Sequence, residues 1–210
     1  MLTYLQYVKD GDSEMPQGVR AQRRERTRQA LLCESRRLFS KLGYAAVGLS
    51  EIVSAAGVTK GALYHHFDSK TELFRAVLLQ VQQEVADRIA VTADAREEPW
   101  DQLIVGCQAF LDASTDPAIQ RIMLIDGPAV LGWSEWRAMN EATSGRHLVD
   151  VVNTLVEAGA IPARQAVPLI HLLSGATNEA ALWLASSEDP SDLANARETL
   201  TQMLESLRVR

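Results

Sequence analysis

One stretch of nineteen residues, Leu49–Phe67 (LSEIVSAAGVTKGALYHHF), constrains the fold of this chain more than any other. Its apolar spacing predicts two short helices joined by a tight turn. Gly57 can adopt the positive φ that a helix-to-helix turn requires, and Thr59 offers a hydroxyl as N-cap of the second helix. The apolar face of the first helix comprises Ile52, Val53 and Ala56.

The second helix of this stretch has two different faces. Leu63 and Phe67 lie four residues apart and point inward together. The opposite face combines one cation, hydrogen-bonding tips and two small residues, a composition that suits entry into a DNA major groove. Its members are Lys60, Gly61, Ala62, Tyr64, His65 and His66. The alternative is an ordinary αα-hairpin with a solvated polar face.

Charge is distributed unevenly along the chain. The net charge is −6, but residues 1–80 hold 12 Lys and Arg against 8 Asp and Glu, a net of +4. Residues 20–41 carry eight basic and two acidic side chains, a net of +6. Contact with phosphates requires positive charge at the interface rather than a basic average, so the first part of the chain is the candidate nucleic-acid surface.

A capping box follows the helix pair. Ser69 occupies the predicted N-cap of a long helix and Glu72 its third position. Lys70 and the free N–H groups of that first turn are therefore expected near a phosphate bound beside the motif.

Several segments together resemble the signature of the TetR family of transcriptional regulators. They are Gly43-Tyr44, Ile52-Val53, Ala55–Gly61, Leu63–Phe67 and Ser69-Lys70. The resemblance runs from about Arg24 to Phe74. It implies an all-α fold with a three-helix helix-turn-helix domain at the N-terminus and a larger C-terminal helical bundle that binds ligand and dimerises.

The resemblance also implies a role for individual residues. The family pattern places base or phosphate contacts at Thr59, Lys60, Gly61, Ala62, Tyr64, His65, His66 and Lys70. The family commonly has Thr or Ser at the start of the first motif helix, where this chain has Val47-Gly48. Ser50, one turn further on, is the candidate to replace that contact. The implied function is a regulator, expected to be a repressor, that binds operator DNA and is released by a small molecule.

The domain organisation follows from these patterns. Residues 1–18 are predicted to be an N-terminal extension, 19–78 the helix-turn-helix domain, and 79–210 the ligand-binding and dimerisation domain. Amphipathic periodicity predicts helices over 19–42, 70–92, 100–113, 135–159, 163–186 and 193–207. A further helix is expected to start at Asp116-Pro117 and to be closed by Asp126-Gly127-Pro128.

Candidate residues for a small-molecule pocket are the aromatic, sulfur-containing and neutral polar side chains of the second half. They are Phe110, Met123, Trp133, Trp136, Met139, His147, His171, Asn178 and Trp183. Ligand pockets are mostly apolar with a few orienting polar groups, which this set provides. The alternative for each is an ordinary core or helix position. The acidic excess of residues 81–210, 19 acids against 9 bases, is compatible with a cationic ligand.

The last two predicted helices, about 163–207, are the expected homodimer interface. One recognition helix contacts few bases, and two copies spaced by about one DNA turn double the readout. Double-stranded operator DNA, a second copy of the chain and a small-molecule effector are thus the expected partners.

Other classes of protein find little support. Cys33 and Cys107 are isolated, so neither a disulfide nor a metal site is expected. The chain has no phosphate-binding Gly-rich loop and no nucleophile motif, so neither a cofactor nor enzymatic activity is expected. With no apolar run near the ~20 residues of a membrane span and no signal peptide pattern, a cytoplasmic location is expected. A helical adaptor that has replaced DNA by a protein partner is the remaining alternative.

Overall fold

The computed structural model describes residues 17–208, in which every assigned element is a helix. The N-terminal extension predicted over residues 1–18 lies outside the described residues, except that Gln17 and Gly18 belong to the first helix. The elements are α1 (Gln17–Leu42), α2 (Leu49–Ala55), α3 (Lys60–Tyr64), α4 (Lys70–Ala93), α5 (Pro99–Ser114), α6 (Pro117–Gln120), a π-helix (Arg121–Asp126), α7 (Gly127–Leu131), α8 (Trp133–Ala142), α9 (Arg146–Glu157), α10 (Ala163–Ser186) and α11 (Asp192–Leu207).

The first three helices enclose a small core that includes the predicted apolar positions. Phe39 of α1 and Phe74 of α4 meet edge to face with ring centroids 5.4 Å apart, and Tyr44 packs against both rings. The buried side chains contributed by α2, α3 and the turn after it are Ile52, Val53, Leu63 and Phe67. This cluster fixes α2 and α3 against α1 and the start of α4.

The turn between α2 and α3 has the predicted geometry. Gly57 adopts φ +65°, and the amide of Val58 donates to the carbonyl of Val53 at 3.0 Å. The hydroxyl of Thr59 accepts from the amide of Ala62 at 3.1 Å, so Thr59 is the N-cap of α3. The short helix therefore begins at a defined residue and at a defined angle to α2.

Helix α4 extends from the helix-turn-helix unit into the second half of the molecule. Its apolar side chains recur every four residues and are almost completely buried: Leu73, Val77, Val81, Val85 and Ile89. The predicted division at residues 78 and 79 falls inside this helix, so the two predicted domains share one continuous element. A rotation of α4 would therefore move side chains in both predicted domains.

Helix α5 lies at the centre of the C-terminal bundle, as its lack of a polar face predicts. It packs against α4, α9, α10 and α11. Trp100, Leu103 and Leu111 are buried within it. None of the helices in residues 17–208 is both long enough and apolar enough to cross a membrane.

Two predictions of helix boundaries are wrong. The expected helix over 135–159 is interrupted between α8 and α9, where the hydroxyl of Thr143 donates to the carbonyl of Met139 at 2.6 Å. The hydroxyl of Ser144 donates to the Asn140 side chain at 2.6 Å, and such local hydrogen bonds compete with the helical ladder. The segment Asp126-Gly127-Pro128 was expected to end a helix. The chain instead stays helical to Leu131, because Pro128 sits in the first turn of α7, where its missing N–H costs nothing.

The capping box after the motif forms only in part. The hydroxyl of Ser69 accepts from the amide of Glu72 at 3.1 Å, as predicted. The Glu72 carboxylate, however, accepts from the amide of Asp68 rather than from that of Ser69. Helix α4 therefore begins at Lys70 with its N-terminus aligned beside the helix-turn-helix motif.

Candidate nucleic-acid interface and effector cavity

Helix α3 presents the predicted face to solvent. Leu63 is buried at 1% exposure, while Tyr64 on the opposite side is 54% exposed. Lys60, Gly61 and His65 are also exposed, and Ala62 is half-buried. Within residues 17–208, the side chains of Lys60, Tyr64 and His65 are thus accessible to a duplex.

A wide open groove adjoins this face. Arginines from the first turns of α1 form one wall, and the α2–α3 turn with α3 forms the other. Its lining residues include Arg20, Arg23, Arg24, Thr59, Ala62, His65 and His66. The folded structure therefore brings the basic start of α1 beside the helix that carries the polar tips, although the two are about forty residues apart in sequence.

The electrostatic setting of His66 follows from that wall. Partial burial, together with the nearby charges of Arg24 and Arg28, lowers the pKa of the His66 imidazole below its ordinary value of 6.5. Arg28 itself lies over the Phe67 ring, 5.9 Å from its centroid. An approaching phosphate would offset these positive charges and favour the protonated imidazole.

Lys70 has partners within the protein. Its ammonium group donates to the carbonyl of Tyr44 at 2.5 Å and lies 4.0 Å from the centroid of the Tyr44 ring. Burial lowers the pKa of this ammonium, and the negative charge of Asp126 opposes that shift. Lys70 is half-buried, and its ammonium group is engaged by Tyr44.

The start of α2 lacks a side-chain cap. Gly48 is the N-cap in an extended conformation and makes no side-chain hydrogen bond, while Val47 is buried at 2% exposure and belongs to the core. Ser50 is exposed in the first turn of α2. Its hydroxyl is thus accessible, one turn beyond the Val47-Gly48 position where the family pattern expects a phosphate contact.

A small apolar cavity lies in the C-terminal bundle between α5, the α8–α9 turn and α10. Its volume is about 40 Å³, and its wall includes Phe110, Asn140, Ser144, His147, Thr177 and Asn178. None of its lining residues is acidic or basic apart from His147, so the wall does not favour the cationic ligand that the acidic composition allowed. Burial raises the pKa of the Cys107 thiol in this wall to about 12, which keeps that thiol protonated.

One ring nitrogen is left without a partner in this wall. The Nε2 atom of His147 is buried and has no hydrogen bond within the described residues. The ring fits there because residue 106 is glycine, since a Cβ at that position would lie 2.8 Å from the His147 Cδ2 atom. The cavity can therefore supply one unused hydrogen-bonding group to an entering molecule.

Three of the nine predicted pocket residues, Phe110, His147 and Asn178, line this cavity. The other six lie elsewhere. Met123 is buried in the π-helix and Trp136 is buried against it, while Met139 is half-buried in α8. Trp133 is 60% exposed and Trp183 45% exposed, and His171 pairs with Arg137 on the surface.

Sequence reasoning missed the small polar residues of the cavity. Asn140 and Ser144 are both buried, four residues apart, and bonded to each other through their side chains. The sequence feature that could have indicated them is a pair of neutral polar residues four positions apart on an otherwise apolar face. Within residues 17–208 no cluster of His, Cys, Asp or Glu has the arrangement of a metal site.

The fold and this interface define a DNA-binding transcriptional regulator of the helix-turn-helix class. Residues 31–77 match the family described as "Bacterial regulatory proteins, tetR family". Residues 100–207 match the family described as "Tetracyclin repressor-like, C-terminal domain". Together the two matches cover both halves of the molecule.

Comparison with individual proteins indicates the same family. The chain is 31% identical over 150 residues to the Transposon Tn10 TetC protein of Escherichia coli, covering 71% of this chain and 75% of that protein. The crystal structure of a TetR-family transcriptional regulator from Pectobacterium atrosepticum is 34% identical, with a TM-score of 0.70, and the match covers 90% of this chain and 97% of that one. The chain belongs to the TetR family.

A more distant structure shares the fold alone. The crystal structure of RolR in complex with resorcinol has a TM-score of 0.66 and 18% sequence identity. The match covers 87% of this chain and 89% of that chain.

The environment of His66 predicts a titration that one substitution shifts. We expect the His66 imidazole to titrate below 6.5, and Arg24→Gln to move the midpoint upward because it removes a repelling positive charge. NMR titration of the histidine ring resonances measures both. Arg137→Gln, in the C-terminal bundle, is the control and should leave the midpoint unchanged. A His66 midpoint at or above 6.5 would contradict this description of the groove.

Proposed function

We propose that the chain is a repressor that binds operator DNA as a homodimer through α2 and α3 and is released when an uncharged small molecule occupies the cavity. The observation that carries the proposal is the outward face of α3 beside the arginine-lined groove. Within residues 17–208, Lys60, Tyr64 and His65 are exposed, and the groove beside them is open to solvent.

The proposed contact places α3 in the major groove. Gly61 and Ala62 allow the helix backbone to approach the duplex, and Lys60, Tyr64 and His65 carry the groups that reach bases or phosphates. Arg20 and Arg24 then face the flanking phosphates across the groove. Ser50, Thr59, His66 and the N-terminus of α4 at Lys70 complete the proposed phosphate contacts.

An exposed apolar face on α10 and α11 supports the homodimer. Leu172 is 70% exposed and Trp183 45% exposed, and a separation of eleven residues, about three helical turns, puts them on one side of α10. Met203 and Leu207 of α11 are each 47% exposed and one turn apart. Exposed apolar surface of this kind is characteristic of protein interfaces, and these two helices are the expected homodimer interface.

The residues that line the cavity support the proposal that the effector is uncharged. Its neutral polar wall would leave an ionised ligand desolvated and without an opposite charge, which is costly. RolR, whose fold is similar, has been crystallised with resorcinol, an uncharged aromatic diol. At about 40 Å³ the cavity holds only a few atoms, so a ligand of aromatic size must displace side chains as it enters.

That displacement provides the mechanism for release. A ligand that fits only after the wall has moved binds the moved state better, and this difference in affinity shifts the population toward it. Because Ile89 of α4 lies in the same wall, widening the cavity displaces the helix that also carries the helix-turn-helix unit. The spacing of the two recognition helices in the dimer would then no longer fit the operator.

The first prediction concerns the recognition helix. We expect Tyr64→Ala to weaken binding to the selected operator by about 1–3 kcal/mol if Tyr64 reads a base. Lys60→Ala should weaken binding to all sequences and reduce the salt slope by about 1. Fluorescence anisotropy on labelled duplexes at several salt concentrations measures both effects.

The matched control is Val91→Ala. Val91 is 79% exposed and lies 21 residues beyond Lys70 along α4, about 30 Å away, so its truncation should not alter operator affinity. An affinity of the wild-type protein that does not change with salt would favour the adaptor alternative over DNA binding.

The second prediction concerns the dimer. Leu172→Glu places a charge in the proposed interface, and we expect the sedimenting species to fall from twice the chain mass to 23.1 kDa. Operator affinity should fall with it. Val91→Glu introduces the same charge at an exposed valine outside this face and should leave the dimer intact. A monomeric wild-type protein at micromolar concentration would contradict the proposed interface.

The third prediction concerns the effector. Phenol and resorcinol should release the protein from its operator, whereas benzoate and benzylammonium should not, because the wall offers them no opposite charge. Gly106→Ala pushes the His147 ring into the cavity, and overpacking of this kind should raise the concentration for half-release about tenfold while operator affinity without effector is retained. Release by the charged compounds alone would show that the effector site is elsewhere.

A further inference from the structure

The turn between α1 and α2 is bound to the C-terminal bundle by a buried carboxylate. Asp126, the last residue of the π-helix, is 8% exposed, and its Oδ2 atom accepts the backbone N–H of Tyr44 at 2.8 Å. The two residues are 82 positions apart in sequence. A hydrogen bond from a backbone amide to a buried carboxylate is among the stronger contacts a domain junction can have.

The backbone N–H and the backbone carbonyl of Tyr44 both have hydrogen-bond partners. Its carbonyl accepts from the ammonium group of Lys70 at 2.5 Å, and its hydroxyl pairs with that of Thr71 at 3.0 Å. Lys70 and Thr71 begin α4, whereas Asp126 belongs to the bundle. Tyr44 thus joins the turn between α1 and α2, in which it lies, to the start of α4 and to the π-helix.

Arg121 also contributes to this junction, where it contacts both Gly43 and Asp126. Its guanidinium group lies against Gly43, where a Cβ atom would come within 2.0 Å of the Arg121 Nη2 atom. Its Nε atom is 3.4 Å from Asp126 Oδ2. Gly43 also adopts φ +79°, a backbone conformation that favours glycine.

The π-helix connects this junction to the cavity wall. The indole N–H of Trp136 in α8 donates to the carbonyl of Met123 at 2.7 Å, and a Cβ atom at Gly127 would lie 2.7 Å from the Trp136 Cδ1 atom. Asn140, one turn beyond Trp136 in α8, lines the cavity. Single π-helical turns inside helical segments occur frequently at functional sites.

We propose that Asp126 is the positioning residue of the helix-turn-helix unit, holding α2 and α3 at a fixed orientation relative to the dimeric bundle through Tyr44. The inference rests on the proposed function, since orientation matters only if two copies bind one operator. When the cavity wall moves, α8 carries the π-helix with it, the Asp126–Tyr44 contact opens, and the two recognition helices lose their fixed separation. Asp126 makes no contribution to the binding of a single copy to DNA.

The test compares a full operator with a duplex that contains one half-site, using the intact chain. Asp126→Ala should weaken binding to the full operator by about 5- to 150-fold, the usual range of coupling between sites, and alter half-site binding by less than about twofold. Asp126→Asn keeps the size of the side chain and one acceptor oxygen for the Tyr44 amide, so it should lie between wild type and Asp126→Ala.

A distance measurement reports the orientation directly. Cys33 of α1 is exposed and Cys107 is buried, so a nitroxide reagent labels one native thiol in each helix-turn-helix unit. Pulsed dipolar spectroscopy on the wild-type dimer should give a narrow distance distribution, which Asp126→Ala should broaden. The matched control is Arg75→Gln, which breaks the exposed Arg75–Glu135 pair between α4 and α8 and should leave the distribution unchanged.

The outcomes separate this inference from the proposed function. Failure of the wild-type protein to bind any operator would overturn the proposed function itself. Equal losses for full operator and half-site would mean that Asp126→Ala damages the DNA-binding fold, and unchanged binding with an unchanged distance distribution would mean that Asp126 does not position it. Either result overturns the inference. If Asp126→Ala does not fold, Asp126→Asn carries the same comparison.

Discussion

The continuous apolar stripe of α4 is the constraint on which the rest of the structure depends. Leu73 and Val77 of this stripe complete the core under the helix-turn-helix unit, and Val85 and Ile89 complete the core of the bundle. This α-helix is one continuous hydrogen-bonded element over 24 residues. The proposed DNA-binding surface and the proposed effector cavity are therefore built on one helix rather than on two units joined by a loop.

The surface proposed to contact DNA combines packing with electrostatics in a small area. Leu63 packs α3 against the core, so the other four residues of this five-residue helix are not required for that packing. The arginines at the start of α1 supply the positive charge that the net charge of −6 conceals. Because the acidic residues lie mainly in the second half of the chain, the charge on the molecule is polarised, and such a field orients the protein as it approaches a duplex.

The cavity and the junction at Tyr44 are related through the break between α8 and α9. The hydroxyl groups of Thr143 and Ser144 end α8 there, which places Asn140 in the cavity wall and Trp136 against the π-helix. The same helix thus has one residue in the wall of the cavity and another bonded to the segment that ends in Asp126. In the proposed mechanism, a movement of α8 acts on the π-helix through the hydrogen bond from Trp136 to the Met123 carbonyl.

Local chemistry in the sequence determined the helix-turn-helix unit. Gly57 is the residue that tolerates the required φ, Thr59 caps the next helix, and the inward pair Leu63 and Phe67 gives it a buried face. These signals act over a few residues, so they can be recognised without knowing the rest of the fold. The same holds for most helix boundaries, including those of α10, which runs over the predicted residues Ala163–Ser186.

Tertiary structure alone decided which side chains meet. Trp133, Trp183 and His171 looked like pocket residues because aromatic and imidazole groups suit ligands, but their helices turn them outward. The Asp126–Tyr44 contact joins positions 82 residues apart. The periodicity of apolar residues along the chain does not indicate a contact of this kind. Sequence therefore determined the elements, since these depend on neighbours along the chain, while the cavity and the domain junction required the packing of elements whose relative placement depends on the whole core.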